Sequence, residues 1–204
     1  FYPAKTGGVM SQEIARQYFF VLLAFCCLCL SAVAQASTTT YDPKLKQLLQ
    51  EAINSPNGFE DRFDAQVWLQ DMNQRLSQFI EDPQERIQLL RTVHYEARRV
   101  DLEPELVLAV IEVESAFDRF AISAAGARGL MQVMPFWLEE INLSDQNLFK
   151  IRTNLRMGCT ILRYYLDMEF NDLGPALARY NGSYGKTKYP VKVINALRKN
   201  WFKQ

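Results

Sequence analysis

The chain is 204 residues long and carries 23 basic and 23 acidic side chains, so its formal net charge is zero. This balance provides no strongly basic surface of the kind that binds nucleic acid or an anionic membrane, and we expect neither partner. Hydrophobic residues make up 49% of the chain, a share that one N-terminal segment inflates. The remainder is long enough to form a single domain with its own core.

An apolar run covers residues 18–33 and is followed by Ala34-Gln35-Ala36. The run is shorter than the about 20 apolar residues of a membrane-spanning helix, and the three residues after it form a small-x-small cleavage pattern. We therefore predict that residues 1–36 comprise upstream residues and a secretory signal peptide. Removal of this segment would leave a secreted chain with no integral membrane span.

Three of the four cysteines, Cys26, Cys27 and Cys29, lie inside the predicted signal peptide. Cys159 is the cysteine that remains, so we expect a packed thiol and no intramolecular disulfide. His94 is the sole histidine, and it has no second histidine or cysteine with which to form a metal site. The sequence therefore predicts neither a metal nor a cofactor.

Residues 37–85 are predicted to form an N-terminal helical extension. Its helices are expected at 44–53 and 65–80, on either side of a turn-forming cluster at 54–58. The second helix is amphipathic, with large apolar side chains at three- and four-residue spacing. These side chains are Trp68, Met72, Leu76 and Phe79.

Helical periodicity continues over the rest of the chain, at 84–100, 153–170, 172–180 and 191–202, and no alternating strand pattern of useful length occurs. We therefore expect an all-α fold. In the last helix the spacing is expected to direct four side chains to one face. They are Val191, Ile194, Leu197 and Trp201.

The helix that begins at Pro104 carries an unusual carboxylate. At about 100° per residue, Glu114 lies at the centre of an apolar face, whereas Glu105 and Glu112 fall on the opposite and wetter side. Burial disfavours the charged form and raises the pKa of a carboxyl, which suits a proton donor at neutral pH. The apolar face consists of Val107, Val110, Ile111 and Phe117.

A structural role for the same carboxylate is the alternative. Glu114 would then be the partner of Arg128 or Arg179 in a buried salt bridge, which also perturbs a pKa without any chemistry. The helix alone leaves both roles open.

The stretch 117–127 is rich in small residues and is predicted to be a tight loop that returns the chain towards Glu114. After it, apolar residues recur at helical spacing and predict a short helix that ends against Pro135. Gln132, an uncharged amide among apolar neighbours, must find hydrogen bonds. The apolar residues of the predicted helix are Leu130, Val133, Met134 and Trp137.

Two separate blocks resemble the signature of the soluble lytic murein transglycosylases, whose catalytic domain is similar to goose-type lysozyme. The first block is Glu114-Ser115-Ala116-Phe117 followed by Ser123-Ala124-Ala125-Gly126-Ala127-Arg128-Gly129-Leu130-Met131-Gln132-Val133-Met134-Pro135, and the second is Ala178-Arg179-Tyr180-Asn181-Gly182. Asn154 and Gly158 match a weaker spacing between the blocks.

The resemblance covers residues 86–204, which we predict to be a lytic transglycosylase catalytic domain with a lysozyme-like fold. The match departs from the family after Asn181, where the family continues with a small residue and then Gly. Here Gly182 follows at once, and Ser183-Tyr184-Gly185 comes next, so different loop shape and saccharide contacts are expected.

The resemblance also implies roles for individual residues. Glu114 would be the sole catalytic acid, and the substrate would be the peptidoglycan glycan strand, cleaved between N-acetylmuramic acid and N-acetylglucosamine to give a 1,6-anhydro product without water. Tyr180 would bond to the catalytic glutamate or lie beside the cleaved bond. The substrate-binding positions are Ser123, Met131, Gln132, Met134, Tyr180 and Asn181.

Two other functions remain alternatives: a goose-lysozyme-type hydrolase in which water attacks, and a non-catalytic helical module that binds peptidoglycan. Ordinary glycosidases use two carboxylates, and Asp167, Glu169 or Asp172 could supply a second one by folding in. The predicted location is the periplasm, and no protein partner is indicated. Aromatic rings suited to sugar faces lie in the same segments, namely Phe136, Trp137, Tyr180, Tyr184 and Tyr189.

Overall fold

The computed structural model describes residues 43–54, 63–143 and 146–202, and within these ranges the protein consists of helices and loops. The all-α prediction is thereby confirmed, while the predicted signal peptide and most of the turn cluster after Asn54 lie outside the described residues. The helices in chain order are α1 (Pro43–Asn54), α2 (Phe63–Leu76), α3 (Pro83–Arg98), α4 (Pro104–Ser115), α5 (Phe136–Glu140), α6 (Ile151–Met168), α7 (Leu173–Tyr180) and α8 (Lys188–Ala196), and a π-helical turn (Leu197–Trp201) continues α8.

Proline and aspartate fix the start of α3, and a proline fixes the start of α4. Pro83 and Pro104 are the first residues of these helices, where a missing N–H costs nothing. The Asp82 side chain accepts a hydrogen bond from the backbone N–H of Gln84 at 2.8 Å and so caps α3. These starts agree with the sequence prediction to within one residue.

The last predicted helix begins earlier than expected and one of its side chains faces solvent. α8 starts at Lys188, and Tyr189 and Val193 are buried in the core. Val191 lies two positions from each of them, on the opposite side of the helix, and it is 50% exposed. The predicted inward position of Val191 is therefore wrong, whereas that of Trp201 is right, because its ring is completely buried.

α6 is the central element of the fold. Its residues are buried along most of its length, because α1, α3 and α7 pack around it. α4 is likewise enclosed, by α3 on one side and by α8 and the π-helical turn on the other. The functional residues of α4 and α6 are therefore held on elements with little freedom to move.

Residues from Tyr41 onwards form one compact unit, in which α1 packs on α6, and α2 packs on α3 and the π-helical turn. The proposed functional division at residues 85 and 86 stays a prediction. Within the described ranges, no helix combines the length and apolar character needed to cross a bilayer.

A buried ion pair joins α3 to the central helix. The guanidinium of Arg156 lies 2.8 Å from Glu96, with both side chains essentially inaccessible to water. Arg99 also donates to Glu96 at 2.9 Å and to the hydroxyl of Thr160 at 2.8 Å. Glu96 is therefore fully engaged, and its loss would leave Arg156 as an uncompensated buried charge.

Replacement of Glu96 by alanine should destabilise the fold by about 3–5 kcal/mol, because breaking a buried pair leaves one charge unpaired. Urea unfolding followed by circular dichroism measures the change. Glu103→Ala is the matched control, since its pair with Arg98 is solvent-exposed and should contribute less than about 1 kcal/mol. Equal midpoints for the two variants would contradict the assigned role.

Candidate active site

Glu114 occupies the last turn of α4 rather than the middle of the helix. The helix ends at Ser115, and the next two residues, Ala116 and Phe117, have positive φ values of 49° and 68°. Such conformations are costly for residues other than glycine and persist where the surrounding structure holds them. The buried ring of Phe117 stabilises this conformation, because its centroid lies 4.9 Å from that of Phe79 and 5.6 Å from that of Trp201.

The carboxyl of Glu114 is half-buried and hydrogen-bonded to neutral groups. The hydroxyl of Tyr189 donates to Glu114 Oε1 at 2.7 Å. Burial raises the pKa of Glu114, and the side-chain hydrogen bonds from Tyr189 and Asn181 lower it, with a net rise above the usual value. The carboxyl is therefore more readily protonated than an ordinary glutamate and is oriented by donors that stabilise its ionised form.

The salt-bridge alternative for Glu114 does not match the structure. Arg179 pairs with Glu169, and the guanidinium of Arg128 lies over the ring of Phe149. Neither arginine forms an ion pair with Glu114 within the described part of the chain.

The prediction that the other carboxylates of α4 lie on a wet face is wrong for Glu105, while Glu112 is half-buried. Glu105 is buried and accepts a hydrogen bond from the indole N–H of Trp68 at 3.1 Å. Glu112 accepts from the side-chain amide of Asn200 at 2.9 Å and from the indole of Trp201 at 2.7 Å. The sequence pattern did not reveal these partners because α4 is covered on more than one side and each carboxylate has its own buried donor.

Each of the three carboxylates that could supply a second catalytic group has another partner in the structure. Asp167 pairs with Arg163 at 2.7 Å, and Glu169 pairs with Arg179. Asp172 caps α7 by accepting from the backbone N–H of Gly174.

The segment after the loop is not the predicted short helix. Arg128 and Val133 exchange two backbone hydrogen bonds of 3.0 and 3.1 Å, so the chain between them is a tight turn, and Gln132 has a positive φ of 49°. The predicted helix would end at Pro135. Instead, helix α5 begins directly after this residue, because a proline ring fits the start of a helix but blocks the helical turn before it. The apolar spacing reflects burial in this turn, with Leu130 and Met131 inaccessible.

Asn154 of α6 holds this turn in place. Its side-chain oxygen accepts from the backbone N–H of Met131 at 2.8 Å, and its amide donates to the backbone carbonyls of Arg128 at 2.8 Å and Leu148 at 2.9 Å. Gly129, with a φ of +75°, lies so close that a Cβ there would be 2.5 Å from the Asn154 amide. One buried side chain thus satisfies the N–H of Met131 and the carbonyl of Leu148, and it gives the carbonyl of Arg128 a second donor besides the N–H of Val133.

A second close approach places Met131. At Gly158, a Cβ would lie 2.5 Å from the sulfur and 2.8 Å from the Cβ of Met131, so glycine is needed for this packing. The carbonyl of Met131 accepts a hydrogen bond from the hydroxyl of Tyr180 at 2.7 Å. Cys159 is a buried free thiol with its sulfur 4.0 Å from that of Met131, in agreement with its predicted packing role.

The predicted site residues make different contacts. A side-chain hydrogen bond from Asn181 lowers the pKa of Glu114, and the hydroxyl of Tyr180 donates to the backbone carbonyl of Met131. Ser123 and Gln132 make their hydrogen bonds within the loop: the hydroxyl of Ser123 accepts from the Ala127 N–H at 3.0 Å, and the amide of Gln132 donates to the carbonyls of Ala121 and Gly129. Met134 is half-buried.

Ser115 links the acid-bearing helix to this loop, since its hydroxyl donates to the carbonyl of Leu130 at 2.9 Å. Tyr189 is the site residue to which the sequence assigned no contact with Glu114. The sequence indicates Tyr189 only as one of several aromatic residues. The family resemblance implies the bond to the glutamate, or a place beside the cleaved bond, for Tyr180. Because 75 residues separate Tyr189 from Glu114, only the packing of α8 on α4 brings them together.

Asn154→Ala should lower the free energy of unfolding by at least about 2 kcal/mol, because each buried backbone group left without a partner costs roughly 1–3 kcal/mol. Urea unfolding provides the measurement. Asn195→Ala, an exposed position on α8, is the control and should change stability by less than about 0.5 kcal/mol. If both variants unfold at the same urea concentration, Asn154 does not hold the turn.

Tyr189→Phe should raise the pKa of Glu114 further, because the lost hydrogen bond favours the ionised carboxyl. Carbon-detected NMR titration of the glutamate carboxyls measures this, with Glu114→Gln identifying the resonance. Tyr180→Phe serves as the comparison and should leave the pKa nearly unchanged, since the hydroxyl of Tyr180 bonds to Met131. A lower or unaltered pKa in Tyr189→Phe would refute the assigned contact.

Comparison with known proteins places this arrangement in a family. A family model described as the transglycosylase SLT domain matches residues 91–200. A transglycosylase of Enterobacteria phage PRD1 is 33% identical over 115 residues, which are 53% of this chain and 42% of that protein. Membrane-bound lytic murein transglycosylase C of Actinobacillus pleuropneumoniae serotype 5b is 52% identical over 48 residues, which are 24% of this chain and 13% of that protein.

A solved structure of an inactive mutant of lytic transglycosylase Slt from Pseudomonas aeruginosa aligns with 78% of this chain and 35% of its own, with a TM-score of 0.43 and 19% identity. The chain thus spans less than half the length of these relatives. The family match, by contrast, covers more than half of this chain and includes Glu114, the docked turn and Asn181. The chain therefore belongs to the transglycosylase SLT domain family.

Proposed function

We propose that this chain is a lytic transglycosylase that cleaves the bond between N-acetylmuramic acid and N-acetylglucosamine in peptidoglycan and releases 1,6-anhydro-muropeptides. The observation that carries the proposal is the half-buried carboxyl of Glu114, whose pKa is raised and whose neighbours are neutral donors. Family membership supplies the substrate class.

The first step is proton donation. The protonated carboxyl of Glu114 transfers its proton to the glycosidic oxygen, and the leaving sugar departs with that oxygen as a hydroxyl. A raised pKa keeps more of the carboxyl in the acid form at neutral pH. The acetamide of the substrate stabilises the positive charge that develops at C1, in line with the family resemblance.

The second step returns the proton. Glu114, now a carboxylate, removes the proton of the C6 hydroxyl, and the C6 oxygen bonds to C1 to close the anhydro ring. Between the two steps the carboxylate is stabilised by the donors Tyr189 and Asn181. No water is consumed, the glutamate is regenerated, and a second carboxylate is not required.

Substrate contacts are proposed for Ser123, Gln132, Met131, Met134, Tyr180 and Asn181. Asn181 is supported by its hydrogen-bonding effect on Glu114, which lowers the pKa of that carboxyl. Tyr180 and Met131 support the adjoining wall through their mutual hydrogen bond. The loop hydrogen bonds of Ser123 and Gln132 hold the turn in a single shape, which pre-orders a surface for the glycan.

We further propose that the protein acts in the periplasm. Several of its relatives are named membrane-bound lytic murein transglycosylases, which supports a place in the cell envelope. The predicted signal peptide, in residues 1–36, lies outside the described residues and is a separate proposal.

Glu114→Gln should reduce turnover of murein sacculi by at least about 100-fold, because it removes the general acid and base, while binding to sacculi is retained. Mass spectrometry of the released muropeptides is the measurement, and products of the unaltered protein should be lighter than hydrolysis products by one water. Glu139→Gln, an exposed carboxylate on α5, controls for the charge change and should leave turnover intact.

The outcomes separate the alternatives. Hydrated products from the unaltered protein would identify a hydrolase of the goose-lysozyme type. Full biological function of Glu114→Gln would identify a non-catalytic binding module. Either result would overturn the transglycosylase proposal.

The rate of the unaltered enzyme should fall as the pH rises through the raised pKa of Glu114, because the acid form is lost. In Tyr189→Phe this alkaline limb should move to higher pH, in the direction of the further pKa rise, and the maximum rate should drop because the carboxyl is less firmly oriented. A pH–rate profile of both proteins measures the shift. An alkaline limb that moves to lower pH would contradict the mechanism.

A further inference from the structure

Exposure distinguishes one aromatic residue from the others near the site. Trp137 and Tyr189 are buried, and Phe136 and Tyr180 are half-buried. The fifth, Tyr184, is 58% exposed. It lies in the segment after Asn181, where the sequence departs from the pattern of the family.

The ring of Tyr184 is held in a fixed orientation. The guanidinium of Arg179 lies over it, 3.9 Å from the ring centroid, and Glu169 holds that guanidinium by an ion pair. An arginine stacked on a ring contributes a cation–π attraction as well as packing. One face of the ring is therefore covered by the protein, and the exposure of the side chain belongs to the rest of the ring.

Backbone hydrogen bonds fix the short segment that carries the ring. The N–H of Ser183 donates to the carbonyl of Ala178 at 2.7 Å, and the N–H of Lys186 donates to the carbonyl of Ser183 at 2.9 Å. Tyr184 is thus anchored on both sides, and its ring can accept a ligand with little further loss of conformational entropy.

The position of Tyr184 relates it to the catalytic acid. Tyr184 lies on the segment between α7 and α8, and Tyr189, five residues later, donates to the carboxyl of Glu114 at 2.7 Å. Five residues of fully extended chain span at most about 18 Å. A glycan strand with one linkage at Glu114 therefore has a neighbouring sugar within reach of the ring.

We propose that Tyr184 is a stacking platform for a sugar ring of the glycan strand, at a subsite beside the bond-cleaving position. The proposal rests on the proposed function, because it takes the ligand to be an amino-sugar polymer. The apolar C–H face of a pyranose packs on the open face of the tyrosine. Arg179 and Glu169 act as positioning residues that keep the ring flat against the protein.

Binding is tested in the Glu114→Gln background, where no turnover occurs, with chito-oligosaccharides of N-acetylglucosamine as the probe and calorimetry as the measurement. Addition of Tyr184→Ala should weaken affinity roughly 3- to 10-fold, the range expected when an aromatic stacking contact is lost. Tyr184→Phe should retain the affinity, since the flat ring remains. Tyr184→Leu should lose it, since an apolar side chain without a flat face cannot replace the ring.

Phe202→Ala is the matched control. Its side chain is 61% exposed. Its backbone carbonyl, not its ring, accepts a hydrogen bond from Arg75, so oligosaccharide affinity should not change. In the active enzyme, Tyr184→Ala should raise the KM for glycan strands by a similar factor and keep kcat within about twofold of the unaltered value. Thermal unfolding checks that the variants are folded.

Unchanged affinity in Tyr184→Ala, or full affinity in Tyr184→Leu, would overturn the platform. A fall confined to kcat would also overturn it, because it would assign Tyr184 to the support of Asn181 and Glu114 and not to sugar binding. Failure of the transglycosylase proposal is recognised separately, by the absence of anhydro products from the unaltered protein, and the binding measurements still decide the role of Tyr184.

Discussion

The site depends on the three hydrogen bonds by which Asn154 holds the turn between Arg128 and Val133 against the central helix. The turn has few backbone ladder bonds of its own, and Met131 within it is fully buried. A buried N–H or carbonyl without a partner is costly, so an apolar side chain at position 154 would favour withdrawal of the turn from α6. The close approaches at Gly129 and Gly158 depend on this docking, because they occur where the turn contacts α6.

The docked turn also positions the elements around Glu114. The carbonyl of Leu130 receives the hydroxyl of Ser115, and the carbonyl of Met131 receives that of Tyr180. The acid-bearing end of α4, the turn and the end of α7 are thereby joined through backbone carbonyls on one short segment. The relative position of these elements is thus set by side-chain hydrogen bonds to main-chain carbonyls of the turn.

The raised pKa of Glu114 has a thermodynamic consequence for the fold. Because the folded state binds the proton more tightly than the unfolded chain, ionisation opposes folding at every pH above the usual glutamate pKa, and this opposition disappears when the pH falls below that value. Tyr189 and Asn181 limit it by donating to the ionised form. The same donors that reduce the destabilisation also stabilise the carboxylate between the two proposed proton transfers.

Local sequence signals predicted those features that depend on local chemistry. Pro104 marks a helix start, and periodicity predicts an apolar face that includes Trp68, Met72 and Leu76, all of which are buried. The apolar spacing from Leu130 to Trp137 was misleading, because a turn buried on all sides shows the same apolar residues as a helix, and only the paired bonds of Arg128 and Val133 distinguish them.

Long-range pairings were beyond such signals. Glu105 and Glu112 were placed on a wet face because helical angle reports which residues share a side, not what packs against it. Trp68 and Trp201 supply their donors from distant elements. The hydrogen bond from Tyr189 to Glu114 was not predictable for the same reason, since only the tertiary packing of α8 brings this hydroxyl to the carboxyl, and a place for Tyr180 beside the cleaved bond stays a prediction.

The chain departs from the family pattern after Asn181, in an exposed segment beside the buried residues of the site. Asn154 bonds three backbone groups of the turn and its surroundings, and Glu114 is held by the hydroxyl of Tyr189, so substitution at either position disturbs the site. Tyr184 protrudes into solvent, and its ring contacts the protein through Arg179, so a different residue at this position would cost little stability. Binding preference can therefore vary at the rim, where side chains face the ligand, while the proton-transfer geometry stays under the control of buried backbone contacts.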